Sequence, residues 1–369
     1  MTADHTSTPG NACPVNSHNE WDPLEEVIVG RLEGSMFPDA AIINRHTFPP
    51  GEWESIEKHI GRGGVPYAPE LIAAAQRDLD ELLHILEAEG VRVRRPDVVD
   101  YAASFSTPAW TTPSGFSSSN PRDPFLVIGN EIIETPMADR SRYFEAWAYR
   151  SLFLEYFKAG ARWTAAPRPQ LRDAQYDLHF QPSAYGEPLR YVVQEFEPTF
   201  DAADFVRCGR DIFGQQSHVT NALGIQWLQR HLGDTYRVHV VQSRYPRVMH
   251  IDTSLVPLAP GKVMVNPEFL DVQNLPGVLK KWDILIAPYP IQGRQTTMDV
   301  ISNWGNMNVL ILDEERVIVE KHQEPMIKAL KDWGFKPIPC PFENYYPFMG
   351  SFHCATLDIR RRGELKSYF

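Results

Sequence analysis

The stretch "MGSFHCATLDIRRRG", Met349 to Gly363, sets Cys354 beside His353 among polar neighbours. A thiolate is a nucleophile, yet an unpaired cysteine is also a common small core filler, and the two readings compete. The balance shifts with the polar residues available elsewhere: Asp123, Asp204, His250, Asp252 and Ser302. His250 can shuttle protons and Asp204 can orient its ring. With Cys354 they make a Cys-His-Asp constellation, recognised by roles and not by sequence order. Taken singly, each has a plainer explanation. Asp123 precedes Pro124 as a turn residue would, Asp204 can cap a turn and Asp252 can be an ion-pair partner. Ser302 can be a loop residue and His250 a satisfied core histidine. Taken together, three carboxylates sharing a cavity repel one another unless a cation sits among them. No spacing of ligand residues points to a metal, and none is expected, nor an organic cofactor. A planar guanidinium fits carboxylates as a two-pronged fork. Its charge would also lower the thiol pKa, and its carbon is an electrophile.

These positions can meet only if the fold repeats. "FLVIGNEIIETP" reads as two strands around Gly129-Asn130, followed by a helical pattern ending at Gly160 and the strand "ARWTAA". The same order returns three times, from "DFVRCGRDIFG", "TSLVPLAPGKVMVNP" and "MNVLILDEERVIVEK". In the first of these, Ser217 is a candidate helix cap. A fifth unit assembles from both chain ends: "HCATLDI", "LEEVIVGRL", the helix in "PELIAAAQRDLDELLHILEAEG" and the strand "VRVRRP". Five ββαβ units whose ends meet in one blade predict a closed ring, a five-bladed α/β propeller in a single domain. Residues 19–369 form that domain, and residues 1–18 are expected as a disordered tail. The polar residues fall just before or within the first strand of each unit, where a ring would converge them. The irregular stretches 33–68, 97–124, 166–199 and 288–306 have the length of functional covers.

The formal net charge is −11, so a bulk basic footprint for nucleic acid is absent and an anionic membrane surface is a poor partner. No run approaches the ~20 apolar residues of a membrane span. Four cysteines in 369 residues are no disulfide framework, and a reducing cytoplasm is the expected location.

The motifs "NEWDPLEEVIVGR", "PRD", "GNEIIE", "RSRYFE", "FDAADF", "GRDIF", "MHID", "MNVL" and "FHC", in this order, resemble those of the L-arginine amidinotransferases over nearly the whole chain after residue 13. The resemblance implies a five-bladed α/β propeller with Cys354 as nucleophile, His250 as general acid and base, and Asp204 as its partner. It implies that Asp123 and Asp252 hold the guanidino group and that Ser302 lies near the amino-acid end of the substrate. His353 reads as a structural neighbour, the run Arg360, Arg361 and Arg362 as a solvated or ion-paired turn, and Cys13, Cys208 and Cys340 as structural.

Two departures bear on the acceptor. Where the glycine-specific branch has an Arg that grips a substrate carboxylate, this chain has Phe269, in "NPEFL". Where that branch has two serines, "ISNW" has Ile301 and Ser302. Met249 is kept. Losing a charge-assisted carboxylate contact costs about 1.5–3 kcal/mol, so glycine is not the expected acceptor. Arg247 or Arg294 is left to meet the donor's carboxylate. The expected reaction moves the amidino group of L-arginine through an amidino-cysteine to a second amine, such as a natural-product amine, releasing ornithine. The expected partners are these small molecules and, as a homodimer, a second copy of the chain. A guanidino-group hydrolase and a non-catalytic guanidinium-binding protein are the alternatives.

Overall fold

A computed structural model describes residues 13–369 except 40, 50–51, 54–55, 58–62, 185 and 292–299. Arg294 and the middle of the expected cover at 288–306 therefore lie outside the described residues.

Among the described residues, five three-stranded sheets are all built alike. In each, a first and second strand pair antiparallel, and a third pairs parallel with the second after a helical crossover. One such sheet joins Phe125–Ile128, Glu131–Glu134 and Arg162–Ala165. The next joins Phe205–Cys208, Asp211–Gln215 and Arg237–Val241. Leu255–Ala259, Lys262–Val265 and Asp283–Ile286 follow, then Leu310–Ile311, Arg316–Glu320 and Lys336–Cys340. The fifth sheet sets Thr356–Arg361 against Leu24–Val29, with Arg92–Arg94 beside it, so the two ends of the chain share one sheet. The expected hairpin turns fall where positive backbone angles demand glycine, as at Gly129 (φ 59°) and Gly209 (φ 69°).

Burial falls from the first strand of a sheet to the third. Phe125–Ile128 and Leu255–Ala259 are buried at every position, whereas the ends of Arg162–Ala165 and Asp283–Ile286 are exposed. Crossover helices cover the outside. Pro69–Ala88 buries Ala75, Leu79, Leu82 and Leu86 along one stripe, each leucine contributing about 1.5–3 kcal/mol. Its Asp78 is buried too, and accepts from the backbone and side chain of Asn344, 2.9 to 3.1 Å away. That contact ties the helix to the turn leading into Cys354. Among the described residues no helix is long and apolar enough to cross a membrane.

Two expectations need correction, and one is narrowed. The chain is already structural from residue 13. Asn16 bridges to Arg360, Ser17 to Gly129 and Asn19 to Cys208, stitching three sheets together. Its polar residues meet backbone groups at strand ends rather than water, which is why composition read it as a tail. Ser217 caps no helix: Asn221 caps Ala222–Leu232 by accepting from Gly224. Of the two readings of the arginine run, Arg361 takes the ion-paired one. It is buried, and its Nε donates to Asp358 at 2.8 Å.

Candidate active site

Cys354 lies in the turn between the 3₁₀ helix Glu343–Phe348 and the strand Thr356–Arg361, with 3% of its surface exposed. Asn308 holds this turn. Its Oδ1 accepts from the backbone N–H of His353 (2.8 Å) and of Cys354 (3.3 Å), and its Nδ2 donates to the sulfur at 3.1 Å. Asn308 stands two residues before the first strand of its sheet, the place that Asp123 and Cys354 take in theirs. Sequence reasoning set Ser302 there instead, although the motif "MNVL" contains Asn308.

His250 adopts φ 58°, a conformation that costs a non-glycine residue energy and is kept where the surroundings dictate it. Its Nε2 is 3.1 Å from Asp201 Oδ2, and its Nδ1 is 3.7 Å from Asp123 Oδ1. The expected partner, Asp204, is not bonded to it. Asp204 instead accepts from Gln215 (3.0 Å), Ser217 (2.6 Å) and Thr220 (2.5 Å). The correction is from Asp204 to Asp201, within the same "FDAADF" motif. A 3₁₀ turn, Ala202–Asp204, separates the two carboxylates. At about 2 Å rise per residue, three residues move a side chain about 6 Å along the chain, enough to give it other partners.

Three carboxylate oxygens in this region are buried without a hydrogen bond among the described residues: Asp123 Oδ1, Asp201 Oδ1 and Asp252 Oδ1. The second oxygen of each is fixed. Asp123 Oδ2 accepts from Arg142 at 2.8 Å, Asp201 Oδ2 meets His250, and Asp252 Oδ2 is 2.9 Å from His353 Nδ1. The Cys354 thiol points at Asp252 Oδ2, 3.5 Å away. Buried acceptors left open in this way call for a ligand with several N–H donors.

The electrostatics agree. Burial works against charge on His250, but Asp123, Asp201 and Cys354 together hold it well above the ordinary histidine value. Burial, then Asp252 and Asp123, push the Cys354 thiol up to about 12, against the opposing pull of His250. Burial raises Asp123, while His353 and His250 outweigh burial at Asp252 and lower it. An entering cation would stabilise the thiolate and the carboxylates at once.

These groups face a cavity of ≈ 90 Å³. Cys354, His250, Asp252, Met249, Arg247, Phe269 and Ser302 all line it. Asp123 and Asp201 line a recess beside it, which shares Met249. Phe269 is 4% exposed and stacks on Tyr245 with ring centroids 3.9 Å apart. The Arg247 guanidinium donates to the Phe48 carbonyl at 2.7 Å, and it is the only Arg or Lys among the described lining residues. Asp123, His250 and Cys354 each offer a ligand atom within 4.8 Å of the others, the spacing of a metal site. Both imidazole nitrogens of His250, however, face carboxylates. A protonated ring has no lone pair for a metal, so the donor set suits an organic cation better.

No protein-family model matches the chain. The L-arginine:L-lysine amidinotransferase of Pseudomonas savastanoi pv. phaseolicola is 48% identical over 355 residues, 96% of each protein. Among solved structures, SxtG, an amidinotransferase of the saxitoxin biosynthetic pathway from Microseira wollei, superimposes with a TM-score of 0.95. It is 69% identical and covers 97% of this chain and 100% of its own. The inosamine-phosphate amidinotransferase StrB1 of Streptomyces griseus superimposes with a TM-score of 0.86 at 38% identity, over 96% of this chain and 99% of its own. With near-complete coverage at these identities, and a thiol, an imidazole and three carboxylates gathered at one cavity, the chain belongs to the L-arginine amidinotransferase family, enzymes that transfer amidino groups.

Proposed function

We propose that the enzyme moves the amidino group of L-arginine to an acceptor amine through a covalent amidino-Cys354. The observation that carries this is the set of open carboxylate oxygens on Asp123, Asp201 and Asp252 around a thiol and a charged imidazole. The guanidinium fills those oxygens, and its charge lets the Cys354 proton leave to water. The thiolate attacks the guanidino carbon. His250 gives its proton to the departing nitrogen, ornithine leaves, and the amidine stays on sulfur. The acceptor amine then attacks the same carbon, His250 takes its proton, and the carbon–sulfur bond breaks. His250 thus loses and regains one proton per cycle, with Asp201 balancing its charge. Asn308 donates to the sulfur and steadies it as thiolate.

In this reading Arg247 meets the donor's carboxylate, and Ser302 and Met249 border the amino-acid end. The acceptor is an amine other than glycine, because Phe269 offers an aromatic wall and no donor. The names of the relatives divide: one carries L-lysine, one an inosamine phosphate and one a toxin pathway, while others, 41–42% identical, are glycine amidinotransferases, so in this reading the residue at position 269 carries the choice. A role in secondary metabolism follows. We further propose that the five sheets stand as blades of a pseudo-fivefold propeller. Their common topology and twice-buried first strands support it. A cytoplasmic location, supported by four free thiols, and a homodimer complete the proposal.

Incubation with L-arginine alone tests the chemistry. Ornithine release with an added amidine on Cys354, read by intact mass and peptide mapping, is the expected result. Cys354→Ala should abolish the release while keeping the thermal melt of the wild type. Citrulline would mean a hydrolase, and an unchanged ligand and protein would mean a binding protein.

A further inference from the structure

We propose that His353 is a positioning residue for amidino transfer: clamped between Asp252 and Glu20 as an imidazolium, it keeps Asp252 ionised and its open oxygen aimed at the guanidino group. The inference rests on the reading of the cavity as the guanidino site.

His353 is buried directly before the nucleophile, and its backbone is pinned by Asn308. Its ring Nδ1 is 2.9 Å from Asp252 Oδ2 and its Nε2 is 3.5 Å from Glu20 Oε2. A neutral imidazole has one N–H and one lone pair, and a lone pair facing a carboxylate repels it. Both contacts are attractive only when both nitrogens carry protons. Glu20 is anchored in turn. Arg207 grips it with Nε at 2.8 Å and Nη2 at 2.9 Å, and Arg122 stands 3.8 Å away. Arg207 and Arg122 both reach Asp358, at 2.8 and 2.6 Å. The charges facing His353 are thus Asp252 and Glu20, which favour its proton, and Arg122, which opposes it.

This chain of alternating charge does two things for Asp252. The 2.9 Å bond occupies Oδ2 and fixes the carboxylate plane, so Oδ1 is the oxygen left for the substrate. The adjacent cation also offsets the burial that would otherwise protonate an acid set near Asp123 and Asp201. A histidine serving stability alone would not need to end on the carboxylate that faces the thiol.

The test is the pH dependence of kcat/KM for ornithine release from L-arginine, in the wild type and in His353→Asn. The asparagine amide can still donate to Asp252, but carries no charge. Loss of the cation raises the Asp252 pKa, so the acid limb should move to higher pH by about one unit. Because Asp252 starts below the ordinary carboxylate value, the variant would be down most, by up to about tenfold, at about pH 4 and below, and would approach the wild type above about pH 6. An acid limb that coincides with that of the wild type, or a loss constant with pH, overturns the proposal. Histidine ring NMR of the ¹⁵N-labelled wild type reads the same claim should the variant fail to fold. Both ring nitrogens of His353 should be protonated at pH 7, and a neutral ring overturns the proposal. Wild-type enzyme that releases no ornithine would defeat the parent reading instead, whatever the state of His353.

Discussion

Asp201→Asn removes the charge against which His250 is held and is expected to slow ornithine release by about 10²-fold or more, within the range of general acid–base effects. Asp204→Asn should behave differently. Its carboxylate accepts from three buried donors, and an amide would turn two of its own hydrogens toward them. The expected cost is about 1–3 kcal/mol of stability, read as a lower thermal midpoint, with activity per folded molecule much less affected. Equal kinetic damage from both variants would return Asp204 to the catalytic set. The thiol makes its own prediction. With Cys354 pushed up to about 12 by its protein surroundings, thiolate is scarce at neutral pH and rises with it. Alkylation of Cys354 by iodoacetamide should therefore climb about tenfold per pH unit between pH 7 and 9, without a plateau. A plateau in that range would reveal a thiolate already paired with His250 before substrate binds.

The turn from Met349 to Ala355 is the element that presents the nucleophile. It begins with Met349 in the left-handed region at φ 63°. It closes with the Ala355 N–H donating to the Ser351 carbonyl at 2.8 Å. Gly350 is packed into it so closely that an added methyl would lie 2.4 Å from Asn120 Oδ1 and 2.8 Å from the Cβ of Cys354. Neither neighbour can yield cheaply. Asn120 is bonded to the Phe348 carbonyl at 2.7 Å, and Cys354 is bonded to Asn308. Gly350→Ala is expected to displace the sulfur and lower kcat for ornithine release at least tenfold, since misplacement of about 1 Å can cost about 10²-fold. Wild-type kcat in this variant would show that the turn adapts and does not set the position of the thiol.

Across the whole molecule, charge and shape are sorted toward one cavity. A buried, charge-alternating network lies behind it, and an aromatic wall formed by Phe269 and Tyr245 lies at its side. Competition assays should rank acceptors accordingly. With arginine as donor, larger primary amines are expected to outcompete glycine, and Phe269→Arg should raise the yield of guanidinoacetate. If glycine already dominates and the arginine changes nothing, the wall does not select the acceptor. Because His250 faces carboxylates through both nitrogens, dialysis against a chelator should leave activity unchanged. Loss of activity restored by a divalent metal would assign Asp123, His250 and Cys354 to that metal.

The order of the units was legible in the sequence, because hydrophobic periodicity and turn glycines are local signals that each unit repeats. Cys354 and His250 were legible as a pair for a chemical reason: few roles other than catalysis need a thiol and an imidazole among acids. Contacts between distant segments were not. Asn308 reaches the sulfur from 46 positions away, and no local pattern marks an asparagine as a thiol donor. Asn16 looked like part of a polar tail until its partner, the last strand, was in place, and no local pattern marked Glu20 as the partner of Arg207. Whether Asp201 or Asp204 serves His250 could not be read from composition, since both are aspartates in one motif. The tertiary structure decided it, because Ser217, Thr220 and Gln215 occupy the Asp204 carboxylate and leave Asp201 to accept the proton of the imidazole.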